Sequence, residues 1–192
     1  MKKFAFYSKA CLVGSLSVML LMALVVTLAP DDVLSSHPTL ARVSGGIAEQ
    51  FDPIQAYTKK SKFPEITQLY FTALTAASPL FLLGSFYLLR NKNGEIFGSI
   101  ADADRRKDVA LGDYVLASWV MAFVSPLLTY FMLFVNPGID GFFFINISDS
   151  KIKLALFGWV FAGGFFAMLG MGCLAPIRSY IWLKNQFAEQ GE

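Results

Sequence analysis

Four stretches of this chain contain no Asp, Glu, Lys, Arg or His: Ala10 to Pro30, Ile66 to Leu89, Tyr114 to Val135 and Leu154 to Ile177. About 20 helical residues cross a hydrocarbon core of roughly 30 Å, and each stretch reaches that length. A helix is the form in which such a run satisfies its own backbone N–H and C=O groups inside lipid. The composition agrees, since 55% of the 192 residues are hydrophobic and 19 are Phe, too apolar for an ordinary water-soluble domain of this size. The chain therefore reads as an all-α polytopic membrane protein, a single membrane domain over 1–192 with four transmembrane helices at about 10–30, 66–89, 114–135 and 154–177.

The charges fix an orientation. Lys2, Lys3 and Lys9 precede the first span; Arg90, Lys92, Arg105, Arg106 and Lys107 lie between the second and third; Arg178 and Lys184 follow the fourth. The positive-inside rule assigns these ten to the cytoplasm and leaves Arg42, Lys59, Lys60, Lys62, Lys151 and Lys153 outside. Both termini are then cytoplasmic, as are the loop 90–113 and the tail 178–192, whereas loops 31–65 and 136–153 are external. A net charge of +2 gives no reason to expect a nucleic-acid partner.

The start "MKKFAFYSK" followed by an apolar run has the look of a signal peptide. The run is longer than the usual 7–15 residues of such segments, and the best small-residue cleavage point, after Ala29, would leave Pro30 on the far side. A retained helix is the expectation.

The first external segment is rich in Ser, Pro, Gly and charge, and reads as hydrated loop with at most short helices. Ile47, Phe51, Ile54 and Tyr57 have a spacing that would lay an apolar edge on the membrane surface, but Pro53 interrupts it. The cytoplasmic loop, with Asp102, Asp104, Arg105, Arg106, Lys107 and Asp108 crowded together, reads as a solvated face held against anionic lipid. The second external loop opens on a Pro-Gly turn and then places Phe142, Phe143 and Phe144 together, more apolar surface than a short loop hides, so an interfacial or partner contact is expected there.

No ionisable side chain lies within the spans, so an ion or proton relay through the bilayer is not expected. The one histidine, His37, is in an external loop beside Pro38, and Cys11 and Cys173 lie in different spans. No catalytic, cofactor-binding or metal site and no small-molecule substrate is expected. The spans instead carry small and weakly polar stripes: Gln68, Thr72 and Thr75; Ser118, Ala122, Ser125 and Thr129; Gly158, Ala162, Gly163, Ala167 and Gly170. Close packing and interhelical hydrogen bonds drive helix association in lipid, so such stripes mark contact faces. They either hold the chain's own helices together or receive helices of another protein.

Two of the spans repeat a Ser-Pro-Leu triplet, at Ser78 and Ser125. Pro79 removes the hydrogen bond to the Thr75 carbonyl and Pro126 the bond to that of Ala122, and a bend in each span follows. Thr75, Ser78, Ser125 and Thr129 place hydroxyls nearby for the freed backbone.

In order and spacing, several elements resemble the immunity proteins of pore-forming colicins, the four-span type that accompanies colicins A, B and N. They are Thr75-Ala76-Ala77-Ser78-Pro79 with the run to Leu89 and Arg90, Ser125-Pro126 with "LFVN" at Leu133 to Asn136, Gly141-Phe142-Phe143, and Ala175-Pro176 with the exit to Lys184-Asn185-Gln186. The likeness covers about Phe63 to Gln186; the loop from Asn91 to Gly112 is longer than in that family, and the first 60 residues match in plan rather than in letters. It implies a multi-pass protein of the bacterial inner membrane whose partners are membrane lipid and the channel domain of a pore-forming, colicin-like bacteriocin, bound before the channel opens. Pro79, Pro126, Gly163, Ala167 and Gly170 are then the candidates for shaping a helix-binding groove, and Phe142, Phe143 and Phe144 for an external contact. A subunit of a conjugation or secretion apparatus, such as a plasmid exclusion protein, would show the same uncharged spans and is the alternative.

Overall fold

The architecture is that of a computed structural model, which describes residues 2–89, 116, 119–120, 122–124, 127, 141–142, 145–172 and 180. The described residues are helical apart from short connections and a two-residue antiparallel pair, β1 (Gly141–Phe142) and β2 (Ile145–Asn146), in which Phe142 faces Ile145. The all-α expectation holds.

Helix α1 covers Lys2–Leu28, so the basic leader and the first apolar stretch form one continuous helix of 27 residues. Its section Phe6–Leu28 is long and apolar enough to cross a membrane, and only 17% of its most apolar window is buried inside the molecule. Leu16, Leu20, Leu24 and Leu28 point outward while Met22 and Val26 are buried.

Prolines open the next helices. In α2 (Pro38–Ala48), α3 (Asp52–Lys60) and α4 (Pro64–Ala76) a proline occupies the first turn, where its missing N–H has no intrahelical acceptor to lose. His37 and Phe63, each directly before its proline, hold φ of −132° and −131° with ψ of 83° and 73°, outside the α region that a following proline disfavours. Helix α3 has Asp52 in its first turn and Lys59 and Lys60 in its last, an arrangement that complements the helix dipole. The segment 31–65 thus carries two short helices, α2 and α3, and is more helical than its Ser, Pro and Gly content suggests. Pro53 starts a helix instead of interrupting one.

The second apolar stretch is broken. Helix α4 ends at Ala76, α5 (Ser78–Ser85) follows, and the two are bent by 48°. Ala77, at φ −82° and ψ 2°, makes the break, and a 3₁₀ turn over Phe86–Leu89 continues from α5. Together α4 and α5 are long and apolar enough for one bent crossing. Helix α6 covers Lys151–Gly172, starting three residues before the apolar stretch begins.

Packing divides the chain into two units. One is Met1–Val13, Leu80–Leu128 and Phe166–Glu192; the other is Gly14–Pro79 and Thr129–Phe165. The core of the second centres on α4, whose Ile66, Tyr70 and Leu74 are almost wholly buried together with Tyr57 of α3 and Leu154 of α6. Tyr57 stacks on Phe71 with ring centroids 4.9 Å apart, and Tyr70 meets the Phe71 ring edge-on at 5.5 Å.

Candidate functional site

The break at Pro79 positions the first candidate. Pro79 follows Ser78 at the start of α5 and its side chain is exposed at the bend. A proline in a first turn has no helical bond to break, so the chain meets its steric demand by ending one helix and starting another. The bend anticipated from Ser78-Pro79 is present.

Glycines then decide how closely helices approach. In the first unit, a Cβ on Gly84 of α5 would lie 2.8 Å from the Cα and 2.9 Å from the amide nitrogen of Leu12 on α1. Backbone meets backbone there, and no side chain fits between. A Cβ on Gly170 of α6 would strike the Ser85 hydroxyl and come within 2.7 Å of the Leu82 carbonyl, the same carbonyl to which Ser85 Oγ donates at 2.7 Å. A Cβ on Gly172, two residues further along, would lie 3.5 Å from the Ala122 Cα, an ordinary contact distance.

In the second unit, a Cβ on Gly158 of α6 would fall 2.6 Å from the Tyr70 ring of α4. Of the glycine stripe read from the fourth apolar stretch, Gly158 and Gly170 therefore face the chain's own helices. Gly163 and Ala167 lie within α6 between them.

The polar stripe of α4 also has an internal partner. Gln68 Nε2 donates to Ser44 Oγ at 3.1 Å, the Ser44 and Thr72 hydroxyls are 3.4 Å apart, and Thr72 Oγ1 donates to the Ser44 carbonyl at 3.5 Å. Ser44, on α2, is almost fully buried. A small polar residue on α2 thus satisfies two polar residues of an otherwise apolar helix, as a low-dielectric setting requires.

Charged groups tie helix ends together in this unit. Glu65, in the first turn of α4, accepts from the amides of Leu34 and Ser35 at 2.7 and 2.9 Å and from the Ser35 hydroxyl. Those bonds, the Ser35 hydroxyl first, hold its carboxyl below the ordinary range. Lys151, opening α6, pairs with Asp31 at 2.6 Å and donates to the Ala29 carbonyl at 2.9 Å, just past the end of α1. Lys62 pairs with Asp149 at 3.2 Å, and its amide donates to the Ser148 carbonyl at 3.1 Å.

Phe142 lies in β1. Pro126, Phe143 and Phe144 lie outside the described residues. Sequence reasoning passed over Gly84 and Ser44. Gly84 carried a usable signal, a Gly-Ser pair in an apolar helix; Ser44 carried none, because its role exists only through the docking of α2 on α4. Compared with protein-family models, with curated proteins and with solved structures, the chain matches none.

Proposed function

We propose that this chain is a four-span protein of the bacterial inner membrane, with both termini cytoplasmic, that confers immunity to a pore-forming, colicin-like bacteriocin by binding its channel domain and preventing opening. The observation that carries the reading is the 48° break of α4–α5 at Pro79, within the Thr75-to-Pro79 segment that resembles the colicin immunity family. The outward apolar face of α1 supports insertion in lipid, and the charge distribution supplies the orientation.

The mechanism asks only for differential binding. A channel domain inserts apolar helices, and a bent span beside small residues offers a groove into which such a helix packs without side-chain interference. Binding the closed or incompletely inserted toxin more tightly than the open channel shifts the toxin's equilibrium away from conduction. Gly170 and Gly158 serve this indirectly, by letting α6 lie close to α5 and α4. Gly163 and Ala167 are the positions on α6 for direct contact with the toxin, and Phe142 to Phe144 for contact at the outer surface.

The test is expression in a sensitive bacterial strain challenged with a panel of pore-forming bacteriocins, including any encoded beside this gene. Protection against one of them is expected. Sensitivity to all, with normal membrane levels of the protein, rejects immunity and leaves the conjugation or secretion subunit as the reading.

A further inference from the structure

We infer that α2 is an interfacial helix whose Leu40–Val43–Ile47 edge rests in the outer leaflet of the lipid bilayer; the inference depends on the reading above that α4 enters a membrane. Leu40, Val43 and Ile47 recur at helical spacing along α2, and Val43 is 57% exposed. The neighbouring face of α2, with Ser44 and Ala48, is buried. Arg42 and Thr39 lie on the flank away from that face and are exposed. One helix therefore has three sides: one docked on protein, one polar, and one apolar that is exposed at Leu40 and Val43 and half-buried at Ile47.

The level of α2 along α4 indicates what covers the apolar side. Glu65, with its bonds to Leu34 and Ser35, marks the polar outer end of α4, and the exposed ion pair Lys62–Asp149 lies beside the same end. Ser44 is fastened to Gln68 and Thr72, three and seven residues further in, which at 1.5 Å per residue is about 5 to 10 Å inward of Glu65. The headgroup layer on one side of a bilayer is about 5–8 Å thick, so an α4 that starts its crossing near Glu65 carries Ser44 and Val43 to the boundary between headgroups and acyl chains. Interfacial helices bury their apolar faces at that depth.

Helix α3 differs: Pro53, Ile54 and Tyr57 face inward, Gln55, Ala56 and Thr58 are half-buried, and Asp52, Lys59 and Lys60 are exposed, so its exposed residues are all polar. The apolar edge anticipated at Ile47, Phe51, Ile54 and Tyr57 is thereby moved, because Ile54 and Tyr57 are committed to α4.

The experiment uses full-length protein reconstituted in phosphatidylethanolamine–phosphatidylglycerol liposomes, with Cys11→Ser and Cys173→Ser as background and a nitroxide on a single cysteine. Four variants are compared: Leu40→Cys and Val43→Cys on the α2 edge, Lys60→Cys as the water reference, and Leu21→Cys on the exposed face of α1 as the lipid reference. Collision rates with oxygen and with a neutral nickel chelate are measured. At Leu40 and Val43 the ratio of oxygen to nickel collisions is expected severalfold above that at Lys60 and below that at Leu21. Nickel access at Val43 equal to that at Lys60, with Leu21 lipid-like, places α2 in water and overturns the inference while leaving the membrane reading intact. Low access to both reagents at Val43 means a protein covering, such as a second copy, and overturns it too. Nickel access at Leu21 equal to that at Lys60 rejects the membrane reading itself.

Discussion

Gly84 of α5 approaches Leu12 of α1 so closely that a Cβ at position 84 would stand 2.8 Å from the Leu12 Cα. Gly84→Val must then push the two helices apart, because backbone atoms have no rotamer into which to withdraw. Overpacking of this kind costs about 1–3 kcal/mol. A lowered unfolding temperature in detergent is expected, read by loss of circular dichroism. Gly46→Ala is the matched control: space around it is open, and the gain in helix propensity, up to about 1 kcal/mol, should leave the protein as stable or more so.

The contact between Gly158 and Tyr70 predicts coupling rather than simple additivity. Gly158→Ala puts a methyl group 2.6 Å from a ring that is fully buried. Destabilisation of about 1–3 kcal/mol is expected, and Tyr70→Leu, which vacates part of that space, should make the second substitution cheaper. A double-mutant cycle measured by thermal unfolding checks this, with a coupling energy beyond about 0.5 kcal/mol expected for residues in contact.

Acid should loosen the N-terminal end of α4. The Glu65 carboxyl is held below its ordinary value of 4.5 by bonds from Ser35 and Leu34, so those bonds contribute stability that is complete above about pH 4.5 and is lost as pH falls through the lower folded value. Protection of the Leu34 and Ser35 amides, taken relative to their intrinsic exchange rate at each pH, should fall over that acid range in the wild type. In Glu65→Gln the same amides should exchange faster at neutral pH, with a flatter pH dependence.

Lys151 joins the end of α1 to the start of α6 through Asp31 and the Ala29 carbonyl. A cation beside the last carbonyls of α1 is favourable to that helix's dipole, and partial exposure of the pair limits its worth to about 1 kcal/mol. Lys151→Met should destabilise by about that amount, and faster proteolysis between Ala29 and Ser36 is the measurable sign.

Function should respond to the bend. Pro79→Ala restores a backbone donor and permits a straight α4–α5, so protection against the cognate toxin is expected to fall while membrane level is unchanged. Gly163→Leu with Ala167→Leu should abolish protection in the same spot assay. Full protection by that pair removes α6 from the toxin-binding face.

Hydrophobic runs without charge and the placement of Lys and Arg were enough to read helices, the extent of α1 apart from its leader, and a bend near Ser78-Pro79. Such properties are local: propensity, proline sterics and transfer into lipid act on each segment alone. The segment 31–65 was less legible, since Ser, Gly and Pro signal turns and helix starts with the same letters. Pro38, Pro53 and Pro64 proved to be first-turn residues, and a prolyl residue says where a helix can begin only once the following residues have something to pack on.

What tertiary structure alone decided is which face each residue presents. A glycine beside a serine in an apolar helix marks Gly84 as a contact position, but that the contact is the Leu12 backbone, while Gly46 faces open space, was decided by packing. Gln68 and Thr72 announced a polar stripe, but that Ser44 of α2 would fill it followed from the docking of two helices far apart in sequence. The stripe had to be satisfied by something, because an unpaired polar group is expensive where water is excluded. The sequence of α4 determined that demand, and the packing of α2 against it determined the partner.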